Sequence, residues 1–455
     1  MFVSINWLKE LTPFEGSLDD LAHQLTMLGL EVEETLNPFA HLESFLVGHV
    51  LESTPHPNAD ALSCCQVDPG TGEALAIVCG APNVAAGQKV AVAPVGSSLP
   101  GGMKIKKAKI RGAVSQGMIC SEKELELSED HSGIMVLDPA IEPGTPLSRA
   151  LNLDTEVFDI GITPNRADCL SILGIAREVA AAYDLPLYFP TTDLQEEPPS
   201  CDALVRIQVD EPELCPLYQA RILQDISIRP SPAWLRYRLL SMGLRPINNV
   251  VDVTNYVMLE MGQPLHAFDR NLLQGDCIRV ACARSGQTFT TLDGQKRRLS
   301  SRDLLIHDGK KPVALAGVMG GANTEINSQS RELLLESAVF SAANTRRTSR
   351  SLGLSSESSY RFERGVDHPG STQALDRAAG LIHALAGGRI LQGRAASEPQ
   401  PWKPRTVSFR PQRAHRLLGL TLDRSGSQDI LDKLGCSVQP GSNETLKVTP
   451  PSYRL

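Results

Sequence analysis

The sequence lacks the cysteine patterns of metal-binding and disulfide-stabilised proteins. Its ten cysteines contain no C-x-x-C pair, and two of them, Cys64 and Cys65, are adjacent. This spacing fits neither a zinc site nor a disulfide framework. We therefore expect reduced thiols and no metal site, as is typical of a cytoplasmic protein.

Long apolar segments are also missing. No window approaches the ~18 consecutive apolar residues of a membrane-spanning helix. The first residues, MFVSINWLKELTPFEG, include acidic side chains and no apolar stretch of signal-peptide length. The sequence therefore excludes a membrane-spanning protein and predicts a soluble, cytoplasmic one with no membrane partner.

An excess of positive charge is absent. The chain has 44 Lys and Arg against 52 Asp and Glu, a net charge of −8, so it is not a basic nucleic-acid binder as a whole. Any contact with RNA must come from a local cationic patch. With 36 Gly and 31 Pro in 455 residues, the chain is not of low complexity, and its length predicts about three domains.

The apolar pattern changes along the chain. Ser17 begins an amphipathic helix that ends at Gly29, with Leu18, Leu21, Leu25 and Leu28 on one face. Between about 45 and 137, short apolar runs alternate with turn residues and predict a small closed all-β unit. The five-stranded oligonucleotide-binding (OB) barrel suits the length. The predicted strands are FLVGHVL, SCCQV, ALAIVC, KVAVAPV, KIKKAKI, GMIC and GIMVL.

Later segments mix helical and strand-like patterns. A helix is predicted over 173–183 and a polar linker over 190–200. An α+β domain then runs to about 393 and is followed by a second linker, ASEPQPWKPR. After 405 we expect two helices and a strand, and because about fifty residues bury little core, we expect the natural chain to continue.

Five cations lie close together in the β unit: Lys104, Lys106, Lys107, Lys109 and Arg111. They could form a solvated strand edge protected by lysines, or they could contact an RNA backbone through charge. No aromatic residues are interleaved with them, so base stacking is not expected.

Several motifs carry a resemblance to a known domain. They are His56-Pro57-Asn58-Ala59-Asp60-Ala61-Leu62, Cys79-Gly80-Ala81-Pro82-Asn83, the segment 115–121, and Asp130-His131-Ser132-Gly133. In this order they resemble the tRNA-binding OB-fold domain of certain aminoacyl-tRNA synthetases and their accessory proteins. That family usually has Gly where Glu126 stands, so the turn after Leu125 is expected to differ.

The resemblance extends along the whole chain. The segments TPNRADCL (163–170), NNVVDVTNY (248–256), GQPLHAFD (262–269) and YRFERGVD (360–367) look like the bacterial phenylalanyl-tRNA synthetase beta subunit. The implied fold is a multidomain α+β protein in which the OB barrel (39–150) is inserted into an N-terminal α/β domain (1–38 and 151–190). An α+β editing domain (202–395) and a partial small α+β domain (405–455) would follow.

The resemblance also implies an editing pocket that hydrolyses tRNA mischarged with tyrosine. Thr254 and Asn255 would lie beside the ester and His266 near the water. Glu336 would meet the tyrosine hydroxyl, whereas phenylalanine would leave that carboxylate unpaired. The pocket wall would be formed by Gly320, Gly321, Ser356 and Ser358. The family commonly has Ala where Ser358 stands, so the pocket here is expected to be tighter or to offer another hydrogen bond.

Each of these residues also has a plainer interpretation. His266 could be an ordinary core histidine or, with Asp269, half of a metal site. Glu336 could form a salt bridge to Arg346, Arg347 or Arg350. Gly320 and Gly321 could belong to a left-handed turn.

The family resemblance implies partners as well. The expected function is that of a beta subunit, which binds tRNA(Phe), supports the aminoacylation site of an alpha subunit and edits, in a heterotetramer of two alpha and two beta chains. ATP and Mg²⁺ would serve the assembled enzyme, with the beta-chain Mg²⁺ ligands beyond Leu455. The alternative is a non-catalytic RNA-binding scaffold subunit.

Overall fold

The computed structural model describes residues 1–153, 155–442 and 445–455. The helices are α1 (Ile5–Leu11), α2 (Leu18–Met27), α3 (Leu147–Ala150), α4 (Ile172–Tyr183), α5 (Cys201–Leu204), α6 (Ala233–Ser241), α7 (Val251–Met261), α8 (Ala342–Leu352), α9 (Glu357–Phe362), α10 (Gly370–Ala386), α11 (Pro411–Leu418) and α12 (Arg424–Lys433).

The strands of the first half are β1 (Phe2–Ser4), β2 (Glu31–Leu36), β3 (Leu46–Pro55), β4 (Ser63–Asp68), β5 (Leu75–Cys79), β6 (Lys89–Pro94), β7 (Ala108–Ile110), β8 (Ala113–Ser115), β9 (Gly117–Ile119), β10 (Val136–Leu137), β11 (Val157–Gly161), β12 (Glu196–Ser200), β13 (Arg206–Val209) and β14 (Leu217–Gln224).

The strands of the second half are β15 (Leu265–Asp269), β16 (Cys277–Cys282), β17 (Thr288–Thr290), β18 (Lys296–Arg298), β19 (Leu304–His307), β20 (Pro312–Leu315), β21 (Met319–Gly320), β22 (Leu333–Val339), β23 (Arg389–Gln392), β24 (Ala395–Ser397), β25 (Val407–Phe409), β26 (Ser437–Pro440) and β27 (Leu446–Thr449). The fold is thus mixed α+β over several units, as expected.

A three-stranded antiparallel sheet joins the two ends of the first 161 residues. Strand β11 lies between β1 and β2 and pairs with both, with Phe2 opposite Asp159 and Leu36 opposite Val157. Helix α2 begins where the sequence predicts, because the Ser17 hydroxyl accepts a hydrogen bond from the Asp20 N–H at 3.1 Å. Residues 37–156 therefore lie between two neighbouring strands of one sheet.

Those residues contain a nearly closed barrel. The sheet order is β10-β6-β3-β4-β5, with β9 also paired to β6. The gap between β5 and β9 is bridged at the adjoining residues, where the Gln116 N–H donates to the Ala76 carbonyl at 2.7 Å and the Val78 N–H donates to the Ser115 hydroxyl at 3.1 Å. The predicted all-β unit is present, and its barrel sheet is nearly closed.

The cationic segment is only partly a strand. We expected one strand over 104–110, but only Ala108–Ile110 forms β7, which pairs with β8 in a separate hairpin. Ile105 is buried and exchanges backbone hydrogen bonds with Gly96 and Ser97, both at 2.9 Å. The two consecutive lysines after Ile105 interrupt the alternation of apolar and polar residues that a half-buried strand requires.

The second half of the chain is built on two sheets. One has the order β12-β23-β14-β22-β15, with β24 also paired to β14, and the other has the order β13-β16-β19-β20-β21. The linker that we expected over 190–200 is wrong in its second part, because β12 pairs in parallel with β23. The Glu196 carboxylate accepts hydrogen bonds from the Gly393 N–H at 3.0 Å and from Arg221 at 2.7 Å, and these partners are remote in sequence.

The last described residues form a small α+β unit that contacts α4. Its sheet has the order β25-β27-β26, and the two predicted helices are α11 and α12. Arg177 lies over the Tyr453 ring at 3.9 Å, and Arg454 pairs with Glu178 and, at 3.5 Å, with Asp168.

Two further expectations concern the pairing of the cysteines and the presence of membrane-spanning helices. All ten cysteines are free. Among the described helices, none combines the length and the apolar character needed to cross a bilayer.

Candidate functional site

His266 and Glu336 lie side by side on neighbouring strands. They are directly opposite each other in the antiparallel pair of β15 and β22, so their side chains project from the same face of the sheet. The His266 ring packs edge-on against Phe268, with ring centroids 4.5 Å apart. Burial lowers the pKa of His266 to about 4. The imidazole is therefore neutral near pH 7 and can accept a hydrogen bond.

The Glu336 carboxyl is buried and has a tyrosine as its partner. Only 6% of the residue is exposed, and the hydroxyl of the fully buried Tyr218 donates to one carboxyl oxygen at 3.0 Å. Burial raises the pKa of Glu336 to about 8, while the Tyr218 hydrogen bond acts to lower it. The alternative of an arginine salt bridge is not borne out, because Arg346, Arg347 and Arg350 project into solvent from α8.

A small cavity adjoins both side chains. The residues that line it are Pro264, Leu265, His266, Ile306, Ala314, Leu315, Gly317, Val318, Met319, Gly320, Glu336, Phe340, Ser358 and Phe362. An acid, a neutral imidazole and a hydroxyl thus face one space whose other lining residues are mostly apolar. Such a space can hold an apolar group and recognise one polar atom on it.

The two predicted wall glycines are required by close packing. A Cβ on Gly320 would lie 2.6 Å from the His266 ring, and one on Gly321 would lie 2.6 Å from the Val313 carbonyl oxygen. Neither glycine has a positive φ, so the alternative of a left-handed turn is wrong. Gly320 lines the cavity and leaves room for the imidazole, whereas Gly321 lies beside β20 and donates its N–H to the Val313 carbonyl at 2.9 Å.

The two predicted serines have different positions. Ser358 lies in the first turn of α9 and lines the cavity. Ser356 caps α9, accepting from the Ser359 N–H at 3.0 Å, and donates to the Val318 carbonyl at 2.8 Å. Ser356 therefore fixes α9 to the loop that forms the cavity wall.

Thr254 and Asn255 lie outside this cavity. Both are on α7, which packs against β15, and the Thr254 hydroxyl donates to the Val251 carbonyl at 2.7 Å. The structure thus brings together His266, Glu336, Gly320 and Ser358, with Ser356 and Gly321 supporting the wall, and leaves the two α7 residues apart.

Sequence reasoning missed Tyr218. The residue lies in the strand pattern LYQARILQ, where every position except the last is buried, and nothing in that pattern marks a tyrosine as the partner of a carboxyl 118 residues away. A buried glutamate needs a donor, so a search among strand residues could have proposed a hydroxyl, but not which one.

A metal ion fits neither of two acidic sites among the described residues. Asp269, the suggested companion of His266, instead accepts from the Ser330 hydroxyl at 2.6 Å and the Asn271 N–H at 3.0 Å. A second cluster, Asp168 with Cys169 and Glu178, has ligand atoms within 4.8 Å of one another. Arg166 pairs with both of its carboxylates, at 3.1 and 3.0 Å, and Arg454 also contacts both. Two guanidinium groups therefore already supply the positive charge that a cation would bring.

The five cations of the barrel border a second site. All are exposed, and across the described residues no ion pair involves them. The sequence motifs have a structural role here: His56 bonds to the Ile110 carbonyl at 3.1 Å and Asn58 to the Arg111 carbonyl at 3.3 Å. These two residues hold the β7–β8 hairpin, and with it Lys109 and Arg111, against the barrel.

A groove of about 730 Å³ runs beside this hairpin. Its lining combines apolar side chains such as Met103, Ile105 and Ile110 with Lys104 and Lys106 at the margin. Asn83 fixes Ile134, another lining residue, through a pair of hydrogen bonds at 2.8 and 3.0 Å. The arrangement can hold an apolar face of a ligand while its charged backbone meets lysines.

Three family models match the chain in succession. Residues 45–146 match a putative tRNA binding domain, 214–387 a B3/4 domain and 407–455 a tRNA synthetase B5 domain. The barrel groove lies in the first of these, and the His266–Glu336 cavity lies in the second.

Curated relatives match over the full chain. The phenylalanine–tRNA ligase beta subunit of Nitratidesulfovibrio vulgaris is 55% identical over 454 residues, and that of Oleidesulfovibrio alaskensis is 56% identical over 454. Over its whole length the chain is similar to phenylalanine–tRNA ligase beta subunits. These matches cover 100% of this chain and 57% of each relative, so the chain spans little more than half the length of its relatives.

A solved structure with lower similarity matches part of the chain. It is an N-terminal fragment of the phenylalanyl-tRNA synthetase beta subunit from Pyrococcus horikoshii, 14% identical, covering 66% of this chain and 83% of that chain. The TM-score of 0.34 is too low to bear on the arrangement of the units.

Proposed function

We propose that the chain is part of a phenylalanine–tRNA ligase beta subunit that binds tRNA(Phe) and hydrolyses tRNA mischarged with tyrosine. The observation that carries this proposal is the pairing of His266 with Glu336 on one face, beside a cavity walled by Gly320 and Ser358. Glu336 offers a carboxyl to a phenol, and a neutral imidazole can hold the attacking water.

Glu336 and His266 would have different roles in the reaction. The Glu336 carboxyl would hydrogen-bond the hydroxyl that tyrosine has and phenylalanine lacks, so it contributes to selection. His266 would orient the attacking water by accepting a hydrogen bond from it, a step common to both substrates. We keep Thr254 and Asn255 as candidates for contacts with the ester, made when α7 and the bound RNA end approach each other.

The barrel would supply RNA affinity. Lys104, Lys106, Lys107, Lys109 and Arg111 carry unpaired charge beside the groove, which suits phosphate contact. We propose that OB-fold residues 39–150 form this unit, inserted into the N-terminal domain of 1–38 and 151–190, and that the editing domain spans 202–395.

The remaining assignments rest on the family. The partner would be the alpha subunit, in a heterotetramer of two alpha and two beta chains in the cytoplasm, and residues 405–455 would begin a further domain. ATP and Mg²⁺ would act at the alpha-subunit site that this chain supports, with any beta-chain Mg²⁺ ligands after Leu455.

The decisive experiment compares the deacylation of Tyr-tRNA(Phe) and Phe-tRNA(Phe) by the purified chain. Preferential hydrolysis of the tyrosyl ester is expected. Glu336→Ala should shrink this preference, while His266→Ala should slow both reactions without changing their ratio. Absence of any hydrolysis by a folded chain would favour the alternative, a non-catalytic RNA-binding scaffold.

A further inference from the structure

A cationic surface adjoins the outer wall of the editing cavity. Its members are Arg346, Arg347 and Arg350 on α8, and Lys296 and Arg298 on β18; we call these five residues the cationic rim. All five are exposed, and among the described residues none of them takes part in an ion pair. This concentration of free positive charge stands out in a chain with a net charge of −8.

Helix α8 has two distinct faces. Its buried residues are Asn344, Thr345, Thr348 and Ser349, and the three arginines follow the solvent face at positions i, i+1 and i+4. Thr345 lies against the cavity wall, since a Cβ on Gly317 would be 3.2 Å from its hydroxyl oxygen. The three arginines therefore lie across α8 from the cavity wall, at a distance of about one helix diameter.

The β17–β18 hairpin touches the same wall. Leu292, in the turn of the hairpin, donates its N–H to the Gly320 carbonyl at 3.0 Å. Arg297 connects the hairpin to α8, because it donates to the Leu352 carbonyl at 3.1 Å. Lys296 and Arg298 alternate with Arg297 along β18, so they project from the outer face of the hairpin.

Nearby acidic groups do not neutralise the rim. Asp293 is paired with Arg297 at 2.6 Å and Glu357 with Arg361 at 2.6 Å. Asp303 is buried and accepts from the Thr348 hydroxyl at 2.8 Å. The positive field of the rim is thus directed to solvent, where guanidinium groups bind phosphate oxygens in bidentate fashion.

We propose that the cationic rim binds the backbone phosphates of the RNA strand whose aminoacyl end enters the editing cavity. This proposal rests on the proposed editing function and adds the RNA contact surface of that site. When the esterified end of the RNA enters a small cavity, the neighbouring phosphates lie just outside it, where the protein surface can bind them. The barrel lysines are a separate surface and would hold another part of the RNA.

The test uses two substrates that share the ester. One is Tyr-tRNA(Phe), and the other is the tyrosyl ester of adenosine, which has no phosphates. The variant R346Q/R347Q/R350Q should raise the KM for Tyr-tRNA about tenfold and reduce the slope of log K against log salt by about two units. Its kcat/KM for tyrosyl-adenosine should equal that of the unmodified chain. The hairpin variant K296Q/R298Q should also raise the KM for Tyr-tRNA and reduce the salt slope, each to a smaller extent than the α8 variant.

Controls separate this inference from the editing proposal. The variant R413Q/R416Q removes two exposed arginines of α11 and should leave the KM for Tyr-tRNA unchanged. Unchanged KM and salt slope in the α8 variant would overturn the inference, as would an equal loss on both substrates or a loss confined to alpha-subunit binding. If the unmodified chain hydrolyses neither substrate, editing is refuted, and the salt slope of uncharged tRNA binding still decides whether the rim contacts RNA.

Discussion

The Tyr218 hydroxyl donates a hydrogen bond of 3.0 Å to the Glu336 carboxyl from the neighbouring strand. Tyr218 lies diagonally across the β14–β22 pair, two residues before Ala220, which is opposite Glu336. The chain thus already presents a phenol to this carboxyl. One carboxyl oxygen is held in place, and this fixes the direction in which the group meets the cavity.

Tyr218→Phe removes this donor and should weaken the selection of tyrosine. The lost hydrogen bond is worth ~1.5 kcal/mol, so the ratio of Tyr-tRNA to Phe-tRNA deacylation should fall about tenfold. Since the Tyr218 bond lowers the pKa of Glu336, the ionisation visible in the pH profile should move to higher pH. Tyr237→Phe, which alters another buried tyrosine, is the control, and an unchanged ratio in folded Tyr218→Phe would contradict the orienting role.

Glu336 should make the stability of the chain depend on pH. Its pKa is about 8 in the folded state and about 4.3 in an unfolded chain. Between these values the folded state holds a proton that the unfolded state releases, so the free energy of unfolding falls as pH rises, by up to ~1.4 kcal/mol per pH unit. Glu336→Gln should remove this slope between about pH 4.5 and 8. Denaturant titrations across that range measure it.

The control for that experiment is Glu325→Gln, at an exposed position in the same half of the chain. It should keep the slope of the unmodified chain. A slope that persists in Glu336→Gln would show that another group is responsible.

Replacing Lys104, Lys106, Lys107 and Lys109 by Ala should weaken tRNA binding and flatten its salt dependence. Each lost phosphate contact should reduce the slope by roughly one unit. Binding isotherms at several salt concentrations give the slope. If it stays constant, the lysines form only a solvated edge.

Glu126→Gly should stabilise the barrel by about 1 kcal/mol. Glu126 has a φ of +56°, in the left-handed region that strains residues with a Cβ and suits glycine. The resemblance to a family with Gly at this place is consistent with that conformation. Thermal melts measure the effect, and Glu129→Gly, at a nearby residue without positive φ, should give no gain.

The sequence predicted local structure better than long-range contacts. The Ser17 cap, the barrel strands and α4 follow from apolar periodicity and capping residues within a few positions. Strand β12 was missed because a polar, proline-rich segment such as Glu196–Ser200 looks like a linker, and its partner β23 lies almost two hundred residues later.

In the candidate site, too, single residues were predicted from the sequence but their long-range contacts were not. The motifs identified His266 and Glu336, but their pairing across β15 and β22 depends on sheet register, and the contact of Tyr218 with Glu336 depends on β14 lying on the other side of β22. The role of Gly320 as space for the His266 ring likewise appears only once β15 and β21, which belong to different sheets, are brought together.

The pairing of Leu36 with Val157 brings the entry and exit of the barrel to one end of the small sheet. A short turn joining β2 directly to β11 would preserve that sheet, so the barrel could be removed or exchanged as a unit. Tyr237, whose ring packs into the barrel core, and Arg236, which pairs with Glu122 at 2.6 Å, mark the surface that such an excision would expose.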